Sequence, residues 1–522
     1  MKQLSGLDAA FLHLELPEMP MHIGALHLFD LPPGYRGNFY DNVKAHVANR
    51  VHLAALFTKR LANLPMDFAN PVWVEDTEVD LDYHIQHVVL PGPGSMAQLE
   101  ACVGRLHSQL LDRSRPLWEF HVIEGLKSGQ WALYTKVHHA AVDGVGAGTL
   151  ARVLLDPTPE LREFPSATGH DADPPGMGRM VAGALRHTAE QYWKIVKTLP
   201  AAARAAGALV LPSRASGSKG IAGVKKRFTP GPRTPLNVAV TSQRSFAMVR
   251  VPLVEAKAVG KAFGGSLNDA VLAICSAALR RYLAAKDALP GEPLKVLMPV
   301  NLRAEGDAKL NNQFSFALSS LPTHRGGARE RMEEIVQAST SMKSTFSKVK
   351  SALPTDLPSL GVPWIMSGIA SLYHRSRLAN RMPPLANVLV SNVPGPQAPM
   401  YMAGARMASF YPLSIPLHGI ALNITVMSYN GALDFGLTAC RRALPDLREL
   451  AKYMSEAHLE LMALLKETEL TENVTVMPLR RRAAGKGARS APRSRATVTP
   501  LPLKPRAGKT AGRAKRAARA AA

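Results

Sequence analysis

Apolar and polar positions alternate along this chain in two distinct periods. Ala25–Phe29 and Trp131–His138 read as strands, whereas Ser95–Leu111 repeats its apolar residues at three and four and predicts a helix. The pattern breaks after Leu155. Pro157, Pro159, Pro165, Pro174 and Pro175 come first, then a helical stretch at Gly178–Leu199 that Pro200 stops, then a run rich in Gly, Ser and Lys. From Ser245 the mixed pattern resumes. Strands are expected at Phe246–Val251, Leu294–Pro299, Phe314–Leu321, Ala421–Tyr429 and Ala432–Thr438, the last two joined by a hairpin turn at Asn430-Gly431. A helix at Asn268–Ala285 is apolar over much of its surface, so burial is expected. A second helix follows Asp446 and aligns Leu447, Leu450, Met454, Leu461, Leu464 and Leu465 on one face. The expected architecture is α/β: a lobe at 1–155, a linker at 156–235, a second lobe at 236–470, and a disordered tail at 471–522.

Charge sharpens this division. The chain has 522 residues, 46% hydrophobic, with 63 Lys and Arg against 40 Asp and Glu, a formal charge of +23. Fourteen of those cations and no acid fall in residues 480–522, leaving +9 on the other 479 residues. Most of the basic excess therefore belongs to the tail, which could attract an anionic membrane, or nucleic acid without sequence readout. Three scattered cysteines (Cys102, Cys275, Cys440) exclude a disulfide framework and suit a reducing compartment. Asp8 and Glu15 interrupt what would have to be the apolar core of a signal peptide, and no stretch approaches the roughly 18 apolar residues of a spanning helix. A cytoplasmic protein is expected.

The richest chemistry follows the Trp131–His138 strand, in the run His138-His139-Ala140-Ala141-Val142-Asp143-Gly144. Neighbouring side chains on a strand point to opposite faces, so one histidine is expected to be reactive and the other structural. An imidazole suits proton abstraction near neutral pH. Zinc would need more convergent ligands, and the run lacks the i, i+4 histidine pair of a helical zinc motif, so no metal is expected. Gly144, Gly146 and Gly148 spell G-x-G-x-G, which differs from the dinucleotide fingerprint.

This run resembles the HHxxxDG motif of CoA-dependent acyltransferases and condensation domains. With LSGLDAAFLHLE, PMHIGAL, the Pro116-Leu117-Trp118 segment, Asn268-Asp269, Pro299-Val300-Asn301-Leu302-Arg303 and SNVPGP at Ser391–Pro396, residues 1–468 resemble the bacterial wax ester synthase/diacylglycerol acyltransferase family. The resemblance implies two chloramphenicol-acetyltransferase-like lobes with the active-site channel between them. It implies transfer of a long-chain acyl group from acyl-CoA to diacylglycerol or a fatty alcohol, with no bound cofactor. His139 would be the general base beside His138. Asp143 would either pair with Arg303 or orient His139, and Gly144 would shape the turn. Asn268 would cap its helix or line the channel beside Asp269. Trp118 would pack the core, and Asn392 and Gly395 would shape a crossover loop. Such substrates imply peripheral contact with a membrane or lipid droplet, for which 362–381 and 178–199 are candidate interfacial helices, a buried core helix explaining each stretch equally well. The alternatives are condensation on carrier-protein substrates, or a non-catalytic binder on the same scaffold.

Overall fold

A computed structural model of the chain describes residues 2–4, 6–62, 70–142, 146–165, 230–301, 314–349, 368, 371–372 and 375–475. Among them are two six-stranded mixed sheets and a small three-stranded one. The first large sheet runs, in spatial order, through Tyr401–Met402, Ala405–Leu413, His22–Asp30, Trp131–His138, Trp118–Glu124 and Ile85–Val89. The second runs through Phe314–Leu321, Leu294–Asn301, Val388–Pro394, Leu422–Tyr429, Ala432–Cys440 and Arg244–Pro252. This is the expected two-lobed α/β architecture.

Each sheet is buried by the helices its sequence predicts. The Met96–Leu106 helix starts at Ser95, whose hydroxyl and Gln98 make a reciprocal cap, and it ends five residues short of the predicted Leu111. Its Leu99, Val103 and Leu106 pack against Leu26, Leu28 and Tyr134 of the first sheet. In the second lobe, Leu267–Ala284 has apolar residues around its whole circumference. It therefore lies in the interior, with Val271, Ile274, Leu279 and Leu283 at most 1% exposed. Burying each such side chain contributes about 1.5–3 kcal/mol. The final helix, Leu447–Thr475, follows Asp446 and buries Leu447, Leu450, Met454, Leu461 and Leu465 against the same core. The Asp446 carboxylate accepts from Tyr282 Oη at 2.6 Å and pairs with Lys286.

The hairpin at Asn430-Gly431 forms as predicted, both residues having positive φ. One connection was not foreseen. Ala405–Leu413 leaves the second lobe's stretch of sequence and pairs antiparallel with His22–Asp30 of the first sheet, and Tyr401–Met402 pairs antiparallel with Ala405–Leu413 at that sheet's edge. The crossing is held at Asp434, which accepts from Phe410 N at 2.8 Å and faces Arg250 Nε at 3.4 Å. Ser414 N donates to Thr438 Oγ1 at 3.3 Å just beyond it.

Candidate active site

The Trp131–His138 strand lies in the middle of the first sheet, with His138 directly opposite His22. There the chain turns, and Ala141 N donates to His138 O at 3.0 Å. The two histidines separate as alternation requires. His138 is fully buried, whereas His139 is partly exposed on the other side.

His138 is clamped at both nitrogens. Its Nδ1 accepts from Ala140 N at 3.1 Å, so the ring proton sits on Nε2 and is donated to Glu15 Oε2 at 3.0 Å. Glu15 also accepts from Met21 N (3.1 Å) and from Arg113 Nη2 (2.9 Å). Burial alone would raise this carboxyl. The hydrogen bond and field of His138, the Arg113 charge and the Met21 N–H outweigh burial and hold it at about 2. Met21 in turn accepts the His139 backbone N–H at 2.9 Å. A single carboxylate therefore grips the His138 side chain and the residue that anchors His139.

The His139 ring stacks on Phe11 of the Gly6–Leu14 helix, with centroids 3.9 Å apart and planes 14° from parallel. Burial pushes its pKa down to about 4; a hydrogen bond to its own backbone carbonyl opposes the shift, and His138 adds to it. The imidazole is consequently neutral at physiological pH and able to accept a proton.

His139 lines a cavity of about 260 Å³ between the two sheets. Alternate residues of two neighbouring strands form one wall: Ile23, Ala25 and His27, then Leu133, Thr135 and Val137. The helix after the motif, Gly146–Leu154, adds Leu150, Ala151 and Leu154. Ser391, Val393, Thr425 and Met427 come from the second sheet, and Phe410, Pro412 and Leu413 from the crossing strand. The wall is predominantly apolar, which suits a hydrocarbon chain.

Pro116, Leu117 and Trp118 are buried beside the histidine turn. Leu117 O accepts from His138 N at 3.0 Å, and Trp118 donates Nε1–H to Phe57 O at 3.2 Å. Trp118 also stacks on His84 at 4.3 Å, so it supports the turn from the core. Asn268 neither caps its helix nor lines the cavity. The cap is Ser266, whose N and Oγ both donate to Asp269 Oδ2 at 2.7 Å, while Asn268 Nδ2 lies 4.0 Å from Met298 Sδ. On the Val388–Pro394 strand, Ser391 and Val393 line the cavity while the intervening Asn392 does not. Gly395 is pressed against the neighbouring strand, where an added Cβ would lie 2.5 Å from Ser428 O and 2.6 Å from Met427 Sδ.

Asp143, Gly144 and Arg303 lie outside the described residues, as do 178–199, half of 362–381, and the tail from 476. Sequence reasoning missed Glu15, Phe11 and Arg113, which brace the histidines. It also missed a buried ion pair elsewhere, Arg50 Nη2 to Asp156 Oδ2 at 3.0 Å. The available signal was Glu15 itself, an acid ending the otherwise apolar stretch FLHLE.

The wax ester synthase/diacylglycerol acyltransferase catalytic domain matches residues 4–271, just over half of the chain, and the C-terminal domain of the same family matches 310–462. The chain belongs to this family. A Mycobacterium tuberculosis protein named as a diacylglycerol O-acyltransferase is 38% identical over 462 residues, covering 88% of this chain and 99% of its own. A second from that organism, with the same activity in its name, is 36% identical, covering 87% and 96%. The wax ester synthase/diacylglycerol acyltransferase of Marinobacter aquaeolei VT8 is similar in structure, with a TM-score of 0.62 at 32% identity over 89% of this chain and 100% of its own. The starter condensation domain of rhizomide synthetase shares the fold alone, with a TM-score of 0.52 at 15% identity over 89% and 94%. The histidine turn and its cavity thus lie within the family's catalytic and C-terminal segments.

Proposed function

We propose that this member of the family transfers a long-chain acyl group from acyl-CoA to the hydroxyl of diacylglycerol or a fatty alcohol, with His139 as general base. The observation that carries the reading is a neutral imidazole in the wall of an apolar cavity between two lobes. An unprotonated ring nitrogen of His139 takes the acceptor's proton as its oxygen attacks the thioester carbon. The tetrahedral intermediate then collapses, the C–S bond breaks, and the imidazolium returns the proton to the departing CoA thiolate. No acyl-enzyme forms, so no activated serine or cysteine is needed. Holding both substrates at one base makes the encounter effectively intramolecular.

Asp143 and Arg303 enter this reading as a pair that shapes the turn after His139, with Gly144 beside them. Acceptor and donor are both amphiphiles, so the enzyme works at a lipid surface on the cytoplasmic side, and the fourteen cations of residues 480–522 draw it to anionic lipid.

The test offers purified protein palmitoyl-CoA with diacylglycerol, hexadecanol or neither, and follows free thiol and ester together. Acceptor-dependent release of CoA with matching ester is expected. His139→Ala should lose at least about 100-fold in rate, the usual worth of a general base. Absence of acceptor-dependent CoA release with every acceptor would overturn the activity, and near-normal turnover by the variant would overturn the base assignment.

A further inference from the structure

A second cavity, of about 600 Å³, opens on the other side of the first sheet. The catalytic cavity is faced by Ala25, His27 and Leu133, whereas Leu26, Leu28 and Tyr134 point the opposite way, into the Met96–Leu106 helix. That helix forms one wall of the second cavity, and the other walls are the start of the Arg244–Pro252 strand and residues 441–448. It is therefore a cleft between lobes, separated from the acyl cavity by a sheet and a layer of packed side chains.

Its polar character is cationic. Arg105, Arg244, Arg441 and Arg448 line it, and among the described residues Glu100 is the one acid in the wall. Glu100 is already committed: Oε1 accepts from Met248 N at 3.1 Å and Oε2 faces Arg448 Nε at 3.0 Å. Burial also pushes this carboxyl up to about 7, with the Arg448 charge and Met248 N–H opposing, so it neutralises Arg448 incompletely. Among the described residues, Arg105 and Arg441 have no carboxylate within ion-pair reach, and both are exposed. Arg244 is only 5% exposed, yet its hydrogen-bond partners among the described residues are backbone carbonyls, those of Thr241, Gln243 and Glu18. Burial lowers its pKa to about 10; the Cys440 thiol opposes the shift, and no carboxylate among the described residues does. A buried cation without a counter-charge is costly unless something completes it.

We propose that this cleft is a binding site for a phosphate ester carrying an apolar or aromatic group. Three uncompensated guanidinium groups match an anion of charge near −2 better than a single carboxylate, and the planar fork of arginine fits phosphate oxygens in pairs. Leu90, Pro91, Ala97, Phe246 and Leu447 supply apolar surface beside the charges. Because the arginines come from both lobes, an occupant ties one lobe to the other. The same chemistry is offered by a nucleotide head and by a phospholipid head.

The test is calorimetric titration of the full chain at low salt with 3′,5′-adenosine bisphosphate, with dihexanoyl phosphatidic acid below its micelle concentration, and with inorganic pyrophosphate. Saturable binding of at least one is expected, accompanied by a rise in thermal midpoint. Arg105→Ala with Arg441→Ala should weaken that binding at least about tenfold, which is one charge-assisted contact or more. Both side chains are exposed, so the double variant should fold as the parent does. The control is Arg36→Ala with Arg406→Ala, which removes the same charge elsewhere on the surface and should change binding less than about twofold. Binding of the bisphosphate alone assigns a nucleotide head, and binding of the lipid alone a phospholipid head; either upholds the site. Failure of all three ligands to bind the native chain, or equal weakening in both double variants, overturns it.

Discussion

Glu15 sits 123 residues before His138 in the chain and touches it in the structure, and its protonation can be read as stability. Holding the carboxyl at about 2 instead of 4.5 corresponds to about 3 kcal/mol at neutral pH. The folded value lies below the unfolded one, so this contribution is complete above about pH 4.5 and is lost as pH falls from there to about 2. Glu15→Gln should therefore be less stable than the parent by roughly 3 kcal/mol at pH 7, with the gap narrowing as urea unfolding is repeated towards pH 3. In the same variant kcat should fall while KM stays close to the parent's, because the histidine turn loses its anchor and the cavity does not change. An unchanged kcat would restrict Glu15 to a role in stability. His139 itself makes a separate prediction. With its pKa at about 4, kcat/KM should be level from pH 5 to 8 and drop only as pH approaches 4. An acid limb near 6.5 would mean that the ring is solvated during turnover.

Strands and helices show where local pattern suffices and where it does not. Trp131–His138 in mid-sheet and Phe314–Leu321 at the edge of the second sheet both have the predicted bounds, because each run is of strand length and rich in apolar residues. The cap of the Leu267–Ala284 helix stands two residues before the expected Asn268: Ser266 with Asp269 three residues on is a capping pair, hidden because Asn268 is itself a plausible cap. The Ala405–Leu413 crossing left no local trace, since a strand's neighbours are set by the whole topology. For the same reason His139 was legible from its motif, while Phe11 and Glu15, which come from the chain's first helix and its end, were not. The end of the Val388–Pro394 strand offers a test at this scale. A methyl group at Gly395 would collide with Ser428 O and Met427, and Met427 lines the catalytic cavity. Gly395→Ala should cost about 1–3 kcal/mol and raise the KM for acyl substrates more than it lowers kcat. A stable variant with native KM would show that the strand end yields without moving the wall.

Across the whole molecule, charge and connectivity act on different properties. The tail holds most of the net charge and lies outside both matched family segments, so deleting residues 480–522 should leave turnover on dispersed substrate unchanged and weaken salt-sensitive binding to anionic vesicles. Equal vesicle binding by the truncated chain would remove the membrane role from the tail. Connectivity instead governs how the body unfolds. The crossing strand belongs to the second lobe's sequence and the first lobe's sheet, and Phe246 and Leu413 share a core cluster with Leu99 and Tyr134. Neither sheet can open without stripping partners from the other, so the lobes should unfold in one cooperative step. Three buried thiols report on it: Cys102 lies on the first lobe's helix, Cys275 within the second lobe's buried helix, and Cys440 at the end of a second-sheet strand. Burial pushes the Cys275 thiol up to about 12, which with its enclosure keeps it unreactive in the folded chain. Pulsed thiol labelling along a urea series should give all three cysteines one midpoint. Labelling of Cys102 at urea concentrations that leave Cys275 protected would show that the lobes unfold separately and that the crossing strand does not couple them.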